Sequence, residues 1–317
     1  MGNYFVYTMK IFIITLKNSK RKTAIRRLKE LKVKYEIFYG INGKALKKKD
    51  LNKIYNSSKT KENIGRDLSL SEIGTSGSHL KLYKKIVKER IENAIILEDD
   101  MYISKNFCEW IKFNKKMNGY EIISFFATPS GLIKKKPFST LKNKRLRIKV
   151  HESKTHLYSC AAYQINYKTC KKILKITNGK VCGIPDWPFN FSKDKIKLNL
   201  TIPFLTTSVD EGFSHLNEER FNFLKNKNIF AKYLPRSISN FFKGIMYITY
   251  LHFLFNKYPN YYFYDHFFLK FKIKLLNLFT DTNFDLEEIY FSKKFQSTDI
   301  LQKYKKNLKI NYNTTPI

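Results

Sequence analysis

The sequence predicts an α/β fold with a mostly parallel central sheet, followed by an aromatic and basic helical appendage at the C-terminus. Three observations predict it. Apolar, β-branched runs alternate with helical periodicity between Met9 and Tyr39, a capped helix from Ser69 leads into a further apolar run at Ala94 to Leu97, and the composition changes after about residue 225. Strand, helix and strand at short spacing build parallel sheets, because the crossover helix returns the chain to the same end of the sheet. The chain has 317 residues, 43% of them hydrophobic, which is enough for one large domain with an appendage. The expected division is a main domain over residues 9–225 and a helical region over residues 226–317.

Met9 to Leu16 (MKIFIITL) is short, apolar and bounded by polar residues, which predicts a buried strand. The basic stretch Lys20 to Leu31 places Ile25, Leu28 and Leu31 at helical spacing. Tyr35 to Tyr39 predicts a second strand, closed by the turn residues Gly40-Ile41-Asn42-Gly43. Residues 44–67 are polar and Lys-rich with weak patterning, and read as an excursion. Ser69 and Glu72 have capping-box spacing: the serine hydroxyl accepts from a first-turn N–H, and the glutamate accepts from the backbone of residue 69. The helix that starts there is expected to bury Ile73, Leu80, Tyr83 and Val87. Further strands are predicted at Ala94 to Leu97, Glu121 to Phe126, His156 to Ile165 and Leu198 to Phe204, with a helix over Lys168 to Leu174.

Beyond residue 225, Ile229 to Leu278 is crowded with Phe and Tyr interleaved with Lys and Arg. Its apolar stretch Gly244 to Phe255 is too short for a membrane span. A helix with aromatic and basic side chains can lie in a membrane interface; the competing expectation is that these aromatics pack against the main domain.

There are 60 Lys and Arg against 26 Asp and Glu, a formal charge of +34. Such an excess attracts polyanions, whether nucleic acid, anionic lipid or phosphorylated glycan. No helix-turn-helix, zinc-finger spacing or RNP-like strand is present, so nucleic acid is not the expected partner. Cys108, Cys160, Cys170 and Cys182 form no C-x-x-C pair, so neither a zinc site nor a disulfide framework is expected. Met1 to Lys10 lacks the pattern of a secretory signal, so the expected location is cytoplasmic.

The sequence feature richest in chemistry is Glu98-Asp99-Asp100, directly after the apolar run at 94–97. Carboxylates buried without partners are costly, and open α/β sheets bind ligands at the carboxyl ends of their strands. Together these point to a cation site. Mg²⁺ and Mn²⁺ take carboxylate and phosphate oxygens and need few protein ligands when a diphosphate supplies the others. Asp100 is the candidate metal ligand and Glu98 the candidate acceptor for a ribose hydroxyl. The bland alternative is a solvated acidic turn. A metal-dependent phosphodiesterase using the same carboxylates is a further reading, although that chemistry usually draws ligands from several strand ends.

Leu70-Ser71-Glu72-Ile73-Gly74-Thr75-Ser76-Gly77-Ser78-His79, followed by Ala94-Ile95-Ile96-Leu97-Glu98-Asp99-Asp100, resembles glycosyltransferase family 25. That family's patterns run close to L-S-x-G-E-I-G-C-x-x-S-H and a-l-I-L-E-D-D. Ile13-Ile14-Thr15-Leu16 with Arg21 is similar to its I-N-L-x-R-S-x-x-R start, Gly40-Ile41-Asn42-Gly43 to its A-V-D-G turn, and Pro185-Asp186-Trp187 to its P-x-D element. Pro203 to Leu216 resembles its closing segment, and the resemblance spans roughly residues 9–220. Thr15 replaces the usual Asn, Asn42 the usual Asp and Thr75 the usual Cys.

The resemblance implies a GT-A-like nucleotide-sugar-binding domain and an inverting, metal-dependent hexosyltransferase. UDP-galactose is the first-choice donor, Mn²⁺ or Mg²⁺ the cofactor, and a lipooligosaccharide or lipopolysaccharide core, lipid-linked, the acceptor. Asp186 is the first candidate for the general base, with Asp210 and Glu211 as rivals, and a helix cap or turn is the competing role for Asp186. Trp187 is expected to stack on an acceptor sugar and His215 to be a further metal ligand. Thr15, Arg21, Glu72, His79, Glu98 and Asp99 are expected around the donor, with a structural hydrogen bond to the carboxylate loop the favoured role for His79. Such an enzyme would work at the inner face of the cytoplasmic membrane, where the basic C-terminal region meets anionic lipid.

Overall fold

The structure is a computed structural model that describes residues 9–113, 119–126, 130–134, 139–142, 147–153, 159–190, 196–202, 204–208 and 261–265. In chain order the first elements are β1 (Met9–Thr15), α1 (Thr23–Glu30), β2 (Glu36–Tyr39), α2 (Lys48–Ile54), α3 (Ser57–Ile64), α4 (Leu70–Lys88), β3 (Asn93–Glu98), β4 (Met101–Ile103) and α5 (Asn106–Phe113). They are followed by β5 (Ile122–Ser124), β6 (Ser130–Lys134), β7 (Ser139–Lys142), β8 (Arg147–Glu152), β9 (Ala162–Asn166), α6 (Tyr167–Ile176), α7 (Trp187–Asn190), β10 (Leu198–Ile202), β11 (Thr206–Ser208) and β12 (Tyr261–Asp265). The chain divides into two units, one of Met1–Phe126, Ser159–Asn199 and Leu205–Val209, the other of Ala127–Tyr158, Leu200–Phe204 and Asp210–Ile317.

The first unit is built on strands in the order β2-β1-β3-β9-β5. β1 is parallel to both β2 and β3, while β9 is antiparallel to β3 and to β5. Four of the five strands therefore share a direction, and the expectation of an α/β fold with a mostly parallel sheet holds. Phe12 and Ile13 of β1 and Ala94 to Leu97 of β3 are fully buried, as runs covered on both faces should be. In the β1–β3 register Ile14 lies opposite Glu98. The chain therefore leaves both strands at the same edge, with Thr15 beside Asp99.

α4 starts where its capping box predicts. The Ser69 hydroxyl accepts from Glu72 N at 3.2 Å, and Glu72 Oε2 accepts from Ser69 N at 2.9 Å. Ile73, Leu80 and Tyr83 are buried as expected; Leu82 and Ile86 are buried too, whereas Val87 is half-buried. The helix is enclosed more widely than one stripe because its small residues admit the turn after β2. A Cβ on Gly74 would sit 2.6 Å from Gly43 N and 2.7 Å from Ile41 O. The Ser78 hydroxyl accepts from Ile41 N at 2.8 Å and donates to Gly74 O at 2.6 Å. Backbone thus packs on backbone, which only glycine permits.

Residues 44–67, expected to be an excursion, hold the two short helices α2 and α3. α2 buries nothing and α3 buries only Thr60, so neither leaves an apolar period in the sequence. β4 pairs with β11, antiparallel. In the second unit β7 pairs with β8 and β6 with β12, both antiparallel. β12 is a strand inside the region expected to be helical, and the rest of residues 226–317 lies outside the described residues. Among the described residues, no helix is long and apolar enough to cross a membrane.

Candidate active site

The three carboxylates sit at the end of β3, Glu98 as its last residue and Asp99 and Asp100 just after it, and are held in three different ways. Asp99 Oδ2 accepts from the Thr15 hydroxyl at 2.6 Å and from the Ser19 hydroxyl at 2.7 Å. Ser19 sits in the turn after β1, with its N–H donating to Leu16 O and its hydroxyl also accepting from Arg21 N. The Asp99 carbonyl accepts from Ala24 N in the first turn of α1. Asp99 therefore fastens the loop after β1, the start of α1 and the end of β3 to one another.

Asp100 is held less completely. Its Oδ2 accepts from Arg21 Nη1 at 3.0 Å, and the Asp100 side chain is 19% exposed. Its Oδ1 is buried and has no hydrogen-bond partner. Burial, then the nearby negative charge of Glu98, push its pKa up to about 7; Arg21 opposes that shift and Asp99 adds to it. Leaving a buried acceptor unsatisfied costs about 1–3 kcal/mol. A divalent cation beside Asp100 would satisfy the bare oxygen and offset the repulsion among three carboxylates, so these residues fit such an ion.

Glu98 faces α4. Its Oε1 lies 3.4 Å from His79 Nε2, and its side chain is 28% exposed. His79 Nδ1 is 2.8 Å from the Tyr163 hydroxyl, which lies 2.6 Å from the Tyr83 hydroxyl. Burial holds both tyrosines well above the usual phenol range. They therefore stay neutral hydrogen-bonding groups that fix the imidazole.

The site thus gathers Thr15, Arg21, His79, Glu98, Asp99 and Asp100. The other expected residues are placed differently. Glu72 is fully buried, and its oxygens accept from Arg66 Nη1 at 2.8 Å and Nη2 at 2.7 Å as well as from Ser69 N. That arrangement gives Glu72 a structural part at the start of α4. Asp186 is buried in the turn before α7. Trp187 is 7% exposed, with its indole N–H buried and without a hydrogen-bond partner. It lines a small cleft with Ser76, His79, Tyr83, Thr177 and Gly183, and none of the three carboxylates lines it. Asp210, Glu211 and His215 lie outside the described residues.

Sequence reasoning did not find Ser19, Arg66, Tyr83 as a polar group or Tyr163. Ser19 had a signal, since it lies between Thr15 and Arg21 in the loop already singled out. The others act across 80 or more residues of chain or, for Arg66, from a stretch without pattern, and leave no local trace.

A family model described as glycosyltransferase family 25 (LPS biosynthesis protein) matches residues 8–186, more than half of the 317 residues. No curated protein matches the chain. Among solved structures it is similar to the mannose-1-phosphate geranyltransferase from Thermus thermophilus, at 10% identity and a TM-score of 0.31, over 61% of this chain and 73% of that one. It is also similar to a candidate glucose-1-phosphate thymidylyltransferase from Bacillus anthracis in complex with sucrose, at 12% identity and a TM-score of 0.30, over 68% of this chain and 95% of that one.

Proposed function

The chain belongs to glycosyltransferase family 25, and from that premise we propose that it moves a hexose, galactose first, from a UDP-sugar to a lipopolysaccharide or lipooligosaccharide core, with inversion and with a divalent ion at Asp100. The observation that carries this reading is the buried, unpartnered Oδ1 of Asp100 at the end of a central strand, where α/β sheets take their ligands. The ion, Mn²⁺ or Mg²⁺, would supply Lewis-acid stabilisation of the departing diphosphate.

The chain's own groups have distinct parts in this proposal. Asp99, locked by Thr15 and Ser19, fixes the direction in which Asp100 points. Arg21 holds the second Asp100 oxygen and brings positive charge to the place where negative charge develops on the leaving group. Glu98, held from behind by His79, is the acceptor for a ribose hydroxyl. Asp186 is the first choice for the base, with Asp210 its rival. The base takes the proton from the acceptor hydroxyl as the new carbon–oxygen bond forms and the bond to UDP breaks on the opposite face. Trp187 remains the candidate beside the acceptor, through its indole N–H in place of an open stacking face, given its burial.

The acceptor class suits the +34 charge, because a phosphorylated, membrane-borne glycan presents anions to a basic surface. A donor screen with and without Mn²⁺, reading nucleotide release, tests the proposal. UDP-galactose should be turned over first and only with the metal, and Asp100→Ala should be silent. Metal-independent release, or hydrolysis of a phosphodiester without sugar transfer, would overturn it. Removal of residues 230–317 should release the protein from anionic vesicles, and unchanged binding would count against the membrane part.

A further inference from the structure

We propose that His79, Glu98 and Cys160 form a site for a thiophilic divalent cation of the zinc class, distinct from the carboxylate site at Asp100 and sharing Glu98 with it. Among the described residues these three form the one group of His, Cys, Asp or Glu side chains whose ligand atoms all lie within 4.8 Å of one another. A tetrahedral zinc centre, with bonds of about 2.0–2.3 Å, sets its ligand atoms roughly 3.3–3.7 Å apart. His79 Nε2 and Glu98 Oε1 already stand at that separation, 3.4 Å. The thiolate has about an ångström or less to close.

The donor set selects the metal. Nitrogen, thiolate sulfur and one carboxylate oxygen match zinc and its analogues, whereas Mg²⁺ and Mn²⁺ prefer oxygen alone. All four cysteines are thiols, so Cys160 is not tied up in a disulfide. Three protein ligands leave a fourth position for water, and Glu98, the partly exposed member, opens the group to solvent.

Supporting contacts for such a centre are in place. A metal-bound imidazole is normally oriented through its other ring nitrogen, and His79 Nδ1 is engaged by Tyr163, itself bonded to Tyr83. The His79 and Tyr163 rings are also stacked, with centroids 5.8 Å apart. On the other side Glu98 N donates to Ala161 O at 2.7 Å, which fixes the backbone beside Cys160 against the end of β3. Binding releases the thiol proton, so affinity rises with pH.

The shared residue links the two sites. A zinc-class ion draws Glu98 towards His79 and Cys160 and away from the donor, so it should inhibit transfer at constant Mn²⁺ and a chelator should reverse the inhibition. Only that consequence rests on the proposed donor role of Glu98; binding itself does not.

Cobalt(II) titration of the full chain tests the site, because a thiolate bound to cobalt gives an intense near-ultraviolet charge-transfer band. The wild-type protein should show the band, Cys160→Ala should lose it and Cys108→Ala should keep it. Glu98→Gln, which retains the thiol, should keep the band but weaken cobalt binding roughly tenfold or more, so the outcome does not depend on Cys160→Ala folding. Asp100→Ala should also keep the band, so failure at the carboxylate site and failure here are seen separately. No band in the wild type, a band that survives in Cys160→Ala, or one lost in Asp100→Ala overturns the proposal.

Discussion

Two arginine–carboxylate pairs in the first unit use the same chemistry to different ends. Arg66 and Glu72 make a two-pronged pair, and Ser69 N takes part as well, so the fully buried carboxylate has both oxygens engaged. Arg21 and Asp100 make a single bond, at 3.0 Å, and the other Asp100 oxygen is buried and bare. The first pair is complete within the fold and serves to start α4. The second leaves one buried oxygen without a hydrogen-bond partner, and that oxygen is the observation on which the proposed metal role of Asp100 rests.

Substitutions should separate the two pairs. The largest effect is expected from Asp100→Ala, which should lower nucleotide release on the order of 10³-fold while the thermal midpoint holds or rises. Glu72→Ala should do the reverse. By removing the buried carboxylate to which Arg66 donates twice and uncapping α4 it should cost about 3 kcal/mol, read as a midpoint lower by roughly 5–12 °C, with whatever protein stays folded still turning over donor. Gly74→Ala forces a Cβ against Gly43 N and Ile41 O, and should cost about 1–3 kcal/mol in the same melting measurement.

The incomplete pair also carries a pH signature. The Asp100 pKa is raised from 3.8 to about 7 in the folded protein, so the folded state holds a proton that the unfolded state has lost between those values. Wild-type stability therefore falls as pH rises through that window. Asp100→Asn removes the penalty. It should melt alongside the wild type near pH 4 and exceed it by roughly 1–2 kcal/mol above pH 7 when no metal is added. The smallest effect is expected from Ser19→Ala, which takes one of two hydroxyls from Asp99 and should cost about 1 kcal/mol, read as a drop in turnover of about fivefold.

The legible parts of this fold are those in which cause and effect sit within a few residues. The Ser69–Glu72 cap, the apolar runs of β1 and β3 and the turn at 40–43 could be read directly, because each rests on local spacing. α2 and α3 could not, since they bury almost nothing and a solvated helix has no apolar period. The same limit divides the site. Glu98-Asp99-Asp100 is contiguous and was visible, and Thr15 and Arg21 came from the resemblance of the segment at 13–21 to the family's start. The partners that tell the three carboxylates apart, Ser19 for Asp99 and the Tyr163–His79 chain behind Glu98, depend on a register that only the folded sheet sets. Glu72 shows the reverse case: it stands in the motif that carries the family resemblance, and only the fold shows that its oxygens go to Arg66 and its own cap.

The central claim, that the bare oxygen of Asp100 receives a divalent ion together with a nucleotide diphosphate, is tested most directly by counting Mn²⁺ through loss of the free-ion electron paramagnetic resonance signal. With UDP present, the wild-type chain should take up an Mn²⁺ that Asp100→Ala does not, and omitting UDP should weaken that uptake. Equal Mn²⁺ binding by the two proteins, with and without UDP, would contradict the account.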